Sequence, residues 1–262
     1  MAASDYATIR YDESQSPVAL VTLNRPEKRN PIGPITCGEL VHALSRAREN
    51  TAVRVVVLTG AGKVFSAGGD LGQMSGGVVG TASVMPASLV DLFATMHALQ
   101  KPIVAMVNGH ALAGGMGLMV ACDMVCASAD AEFGTTEINL GLWPMMITAE
   151  IVRSIGRKKA LWLMLTGKRI SASEAERIGL VTQVFPPEKL EEETMALAKE
   201  LASKSPSAMR LGLKAFYETQ DMDLLPALSH LEGQLAAVLA TEDAAEGISA
   251  FLQKRPPVWK GR

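Results

Sequence analysis

VNGHALAGGMGLMVACD, residues 107–123, joins the end of an apolar run to the start of a helix through a turn of small residues, with Gly114, Gly115 and Gly117 in the first turns of that helix. Glycine weakens a helix interior by roughly 1 kcal/mol relative to alanine. A cluster of three here therefore signals that something approaches the backbone closely. Upstream, KPIVAMV at 101–107 is a continuous apolar run bounded by a turn and predicts a buried strand; downstream, MVCAS at 124–128 predicts another. Two parallel strands need a crossover, and the helix expected over about 115–122 supplies it.

The same alternation extends outward. VALVTL at 18–23, set between Ser16-Pro17 and Asn24-Arg25-Pro26, predicts a strand. From Thr36, Leu40, Leu44 and Ala47 fall at helical spacing. VRVVVLTG at 53–60 predicts a fully buried strand, and a helix is expected over about 88–100. Strands alternating with helices predict an α/β fold with mostly parallel strands. The glycine- and serine-rich stretch 72–86 predicts a surface loop of the kind that covers active sites. Beyond about residue 190 the helical patterns follow one another with no strand between them. The boundary is placed near 195, with residues 196–262 a helical region whose apolar faces need a second surface.

Hydrophobic residues make up 48% of the 262 and charged residues 20%, a profile that folds rather than one that stays disordered. A formal net charge of −2 gives no electrostatic reason to expect nucleic acid, and no basic stripe with interleaved aromatics is visible. Arg157-Lys158-Lys159, the most basic run, reads as a solvated face. Cys37, Cys122 and Cys126 fit reduced thiols, and neither they nor the four histidines have metal-site spacing, so no metal is expected. No apolar run reaches membrane-spanning length, and the first residues lack the apolar segment of a secretion signal; a cytoplasmic location is expected.

A second turn resembles the first. GAGKVFSAGGDL at 60–71 also places a strand directly before small residues, here Ala67, Gly68 and Gly69. Two such turns can aim backbone N–H groups at one point, and a helix beginning near Gly114 adds the positive end of its dipole; the pair would bind an oxyanion.

With LNRPEKRNPI at 23–32, FGTTEINLGLWP at 133–144 and the tail EGISAFLQKRPPVWKGR at 246–262, these two stretches resemble the crotonase, or enoyl-CoA hydratase/isomerase, superfamily over nearly the whole chain. The resemblance implies a spiral of repeated ββα units followed by a helical C-terminal region that forms a homotrimer, commonly a dimer of trimers. It implies an acyl-CoA thioester as substrate, coenzyme A being part of the substrate rather than a separate cofactor. The N–H groups of Gly69 and Gly114 would then hold the thioester oxygen as an enolate forms. Lys28, Arg29, Ala67, Asp70 and Leu71 would lie along the path of CoA, although Asp70 also reads as a brace for its turn. Phe251 and Lys254 match tail positions that reach CoA, across a subunit boundary.

Gly117 departs from the pattern. Hydratases of this superfamily carry one glutamate at its position and a second at that of Glu137, and the two together manage water and the C2 proton. Here Glu137 stands alone in the apolar setting INLGLW, where burial would raise its pKa. One carboxylate is enough to take a proton from C2 and return it at C4, so the expected reaction is enoyl-CoA isomerisation. Hydration using Glu137 and Glu150 is the first alternative, then decarboxylation or thioester hydrolysis, and finally acyl-CoA binding without turnover. Trp143-Pro144-Met145-Met146-Ile147 must fill space beside the acyl group.

Overall fold

The computed structural model describes residues 6–74 and 84–262. Along the chain run β1 (Ile9–Asp12), β2 (Val18–Leu23), α1 (Pro34–Glu49), β3 (Val55–Gly60), β4 (Val64–Ser66), α2 (Leu71–Met74), α3 (Leu89–His97), β5 (Ile103–Val107), β6 (His110–Leu112), α4 (Gly114–Val120), β7 (Met124–Ser128) and β8 (Glu132–Gly134). They are followed by α5 (Met145–Thr166), β9 (Ile170–Ser171), α6 (Ala172–Arg177), β10 (Gln183–Phe185), α7 (Leu190–Ala202), α8 (Pro206–Thr219), α9 (Leu224–Leu239) and α10 (Glu242–Leu252).

Two sheets result. The larger has the order β1-β2-β3-β5-β7-β10, antiparallel only between β1 and β2. The smaller has the order β4-β6-β8-β9 and lies beyond the C-terminal ends of the larger sheet's strands. Each of β3, β5 and β7 passes through a tight turn into β4, β6 or β8 and then reaches a helix, so the ββα unit repeats along the chain. The mixed α/β expectation holds, and the second strand of each unit is what a sequence pattern misses: three residues are too few to display a period.

The apolar runs are continuous because the large sheet is covered on both faces. Along β3, Val56 and Leu58 pack with Leu40, Leu44, Leu92 and Met96 of α1 and α3. Val55 and Val57 point the other way and pack with Leu190, Ala198 and Ala202 of α7. The boundary expected near 195 thus falls inside a helix whose apolar face covers the sheet. The helices after it behave differently: α9 has no buried residue, and its Leu224, Leu225, Leu228, Leu235 and Leu239 are exposed. Among the described residues no helix is long and apolar enough to cross a membrane.

Candidate active site

The two small-residue turns lie side by side, held by polar side chains from the loops before them. Asn108 donates from Nδ2 to Gly62 O at 2.8 Å and accepts the Gly60 N–H on Oδ1 at 3.3 Å, which stitches the β5–β6 turn to the β3–β4 turn. Asn30, 1% exposed, donates to Ala61 O and Val64 O, both at 2.9 Å, and accepts from Arg25 N. Gly68 has φ +111°, which only glycine adopts readily, and a Cβ there would lie 2.7 Å from the Ala113 Cβ and 3.4 Å from Gly114 N. The chain passes that close because neither glycine has a side chain.

The direction of the Gly69 N–H follows from its neighbours. Ile32 donates to Gly68 O at 2.8 Å and accepts from Asp70 N at 2.9 Å. In that parallel bridge the intervening Gly69 N–H faces away from Ile32. Gly114 is the first residue of α4, and its N–H has no partner within the helix. The preceding Ala113 sits at φ 50°, ψ −130°, a strained conformation for alanine, anchored by its N–H on Gly134 O at 2.8 Å. Neither the Gly69 nor the Gly114 N–H is bonded to a described residue, and both residues line one cavity. A Cβ at Gly114 would stand 3.6 Å from Gly69 N.

Glu137 lies in a single helical turn over Thr136–Leu140 that ends at Gly141, φ 74°. Leu142 N donates to Glu137 O at 3.1 Å and closes the loop around it. The buried Oε2 has no hydrogen-bond partner, and desolvation by burial raises the carboxyl pKa above the usual glutamate value against a smaller opposing effect of its own backbone N–H.

These groups meet in a cavity of about 320 Å³ whose walls are Leu71, Leu89, Leu140, Leu142 and the run Trp143–Ile147, with Ala67, Gly69, Gly114 and Glu137 at the polar end. Among the described residues, Glu137 is the only charged one on its walls. Leu140 is 65% exposed and Met145 68%, so apolar surface faces an open space rather than the core. Leu89, Leu140 and Leu142 escape a sequence reading because nothing local marks them as lining rather than packing.

The other two glycines are packing sites. A Cβ at Gly115 would meet the Ser66 side chain at 2.6 Å, and one at Gly117 would fall inside the van der Waals radius of Ile147 Cγ2. Glu150 points elsewhere: its Oε2 is 3.5 Å from His97 Nε2, and it lines a separate cavity with Asp123 and Tyr217.

A family profile described as enoyl-CoA hydratase/isomerase matches residues 13–262. The chain belongs to that family. It is 39% identical over 249 residues to the 2,3-dehydroadipyl-CoA hydratase of Escherichia coli K12, covering 95% of this chain and 97% of that protein. Among solved structures, the enoyl-CoA hydratase of Bacillus anthracis superposes with a TM-score of 0.85 at 34% identity over 97% of this chain and all of that one. That of Mycobacterium smegmatis gives 0.87 at 31%, over 96% of this chain and 98% of its own. The fold is therefore that of the crotonase superfamily.

Of the residues singled out in the sequence, the fold gathers Ala67, Gly69, Leu71, Gly114 and Glu137 around this cavity. It leaves others outside. Asp70 is turned into its own loop: Arg25 Nη1 meets Oδ2 at 2.7 Å and Gln73 donates to both oxygens. Burial pushes the Asp70 pKa up, but these bonds outweigh it and hold it below the usual value. This carboxylate braces the turn. Lys28 and Arg29 are exposed beside the turn at 67–69, with Arg29 O accepting from Ala67 N at 2.9 Å. Phe251, 83% exposed, and Lys254 stand at the end of α10 and line no part of the cavity within this chain. The loop expected over 72–86 falls mostly on 75–83, outside the described residues.

Proposed function

We propose that the protein is an enoyl-CoA isomerase that moves a double bond from C3=C4 to C2=C3 of an acyl-CoA thioester. The observation that carries this reading is the pairing of Gly117 with Ile147: the space in which a second carboxylate would hold water is taken by a methyl-bearing side chain, leaving Glu137 as the one carboxylate that the described residues bring to the cavity wall.

The Glu137 carboxylate removes a proton from C2. The electron pair left behind delocalises onto the thioester oxygen, where the N–H groups of Gly69 and Gly114 stabilise it; donors of this kind are worth about 2.7–4 kcal/mol each. The same Glu137, now protonated, returns the proton at C4, and the electrons reclose the carbonyl and the new double bond. No atom is gained or lost, and no water is needed.

The apolar walls support an apolar acyl group. A distal carboxylate, which the name of the E. coli relative's substrate includes, would be desolvated here with no cation among the described lining residues to meet it, a cost of several kcal/mol. Lys28 and Arg29 supply positive charge for the phosphates of CoA at the mouth. The exposed leucines of α9 are read as the surface on which copies of this chain form a trimer or a dimer of trimers, which would also allow Phe251 and Lys254 to reach a neighbour's CoA.

Hydration is the second reading, favoured by the names of the relatives. Purified protein given a 3-enoyl-CoA and the matching 2-enoyl-CoA separates the two. Migration of the double bond without 3-hydroxyacyl-CoA supports isomerisation, and efficient formation of 3-hydroxyacyl-CoA overturns it.

A further inference from the structure

A second cavity, of about 270 Å³, lies at the opposite end of the large sheet. Arg54 directly precedes β3 and Lys101 closely precedes β5, so the cavity opens at the N-terminal ends of strands whose C-terminal ends lead toward Gly69 and Gly114. A six-residue strand separates the two ends by about 20 Å. Among the described residues its walls carry six cations, Arg48, Arg54, Lys101, Lys204, Arg210 and Lys260, and no carboxylate, in a protein whose formal net charge is −2.

Their charge is only partly answered. Lys204 pairs with Glu200 at 3.1 Å and Lys260 with Glu242 at 3.0 Å, whereas Arg48, Arg54, Lys101 and Arg210 form no ion pair with any described residue. Two of these four are held in place by neutral groups. Lys101 Nζ donates to Ala47 O at 2.7 Å and Asn50 O at 2.9 Å, at the C-terminal end of α1, and Arg54 Nη1 donates to Ala202 O at 3.0 Å, at the end of α7. Carbonyls at helix C-terminal ends carry a partial negative charge of about half a unit, so they orient these two cations and answer only part of their charge. Burial pulls the pKa of the half-buried Lys101 down, a cost that a bound anion would offset. The rim is also fixed: Asp243 accepts the backbone N–H of Lys260 at 2.7 Å and of Gly261 at 3.0 Å, which ties the end of the chain against the start of α8.

A small concavity lined by one sign of charge concentrates counter-ions, and guanidinium forks match phosphate oxygens. We propose that this cavity binds a small multiply charged phosphate anion, either pyrophosphate or the diphosphate of a nucleotide, at a site separate from the acyl-CoA cavity.

The test is calorimetric titration of pyrophosphate and of ADP into the full chain at about 0.15 M salt, where diffuse surface attraction is screened. One pyrophosphate is expected per chain, with at least about tenfold weaker binding in Arg48→Ser/Arg210→Ser. Arg48→Lys/Arg210→Lys, which keeps the charge and loses the forks, should fall between the two and covers the case in which the serine variant does not fold. Lys28→Ser/Arg29→Ser should leave pyrophosphate binding unchanged. Tighter binding of ADP than of pyrophosphate, lost in the Arg48/Arg210 variants, identifies a nucleotide as the source of the diphosphate; equal or weaker binding identifies the free anion. Absence of saturable binding, equal affinity in the Arg48/Arg210 variants, or loss of binding in Lys28→Ser/Arg29→Ser would overturn the proposal.

Discussion

Ile147 Cγ2 occupies the space that any side chain at Gly117 would need. Ile147 is the third residue of α5 and is 2% exposed, and Gly117 lies in the middle of the buried helix α4, so each residue explains the other. Restoring glutamate at 117 alone should overpack the junction and cost about 1–3 kcal/mol, seen as a lower Tm. Gly117→Glu with Ile147→Ala should recover much of that loss and produce 3-hydroxyacyl-CoA from a 2-enoyl-CoA. A single Gly117→Glu variant that folds with unchanged stability would show that the contact does not constrain the site.

Replacing Glu137 by glutamine keeps the shape and removes the acid/base group. Double-bond migration should fall by about 10²–10⁴-fold in kcat, the range for general acid–base catalysis, while KM changes little. A variant retaining most of its kcat would assign the proton transfer to another residue.

The raised pKa of Glu137 has two consequences of opposite sign. In the proposed reaction Glu137 acts in its ionised form, so kcat/KM should rise with pH through a midpoint above 4.5, the ordinary glutamate value, and then level off. For stability, the native state holds this proton to higher pH than the unfolded chain does, so the contribution of Glu137 is favourable at low pH and is lost as pH rises through the raised value. Glu137→Gln should therefore melt above the wild type at neutral pH, and the gap should close in acid. Melting curves at a series of pH values decide this.

Asp243 is 1% exposed and opposes that trend. Burial pushes its pKa up, but the hydroxyls of Ser205 and Ser207 and the N–H groups of Lys260 and Gly261 hold it down at about 2. Its stabilisation is present above the unfolded value near 3.8 and is lost as pH falls from there toward 2. Asp243→Ala removes the acceptor for these donors and should cost about 2 kcal/mol or more at neutral pH. It should also release the C-terminal residues from α8, readable as faster amide exchange at Lys260 and Gly261.

What the sequence determined by itself was what repeats or is locally encoded. The continuous runs of β2, β3, β5 and β7 mark strands covered on both faces, and the small residues at 67–69 and 113–115 mark two turns where backbone approaches backbone. The lone Glu137 among apolar residues was legible for the same reason, since burial of a carboxylate there follows from its neighbours. Three things depended on contacts between segments distant in sequence, which no local pattern carries. The strands β4, β6 and β8 exist only because three short segments pair with one another. Glu150, the second carboxylate of the hydration alternative, is drawn to His97 and faces another cavity. The absence of a side chain at 117 acquires its meaning only when α5 folds back and Ile147 fills the gap. Local chemistry is written in the order of residues, whereas the volume left between packed elements is decided only when they meet.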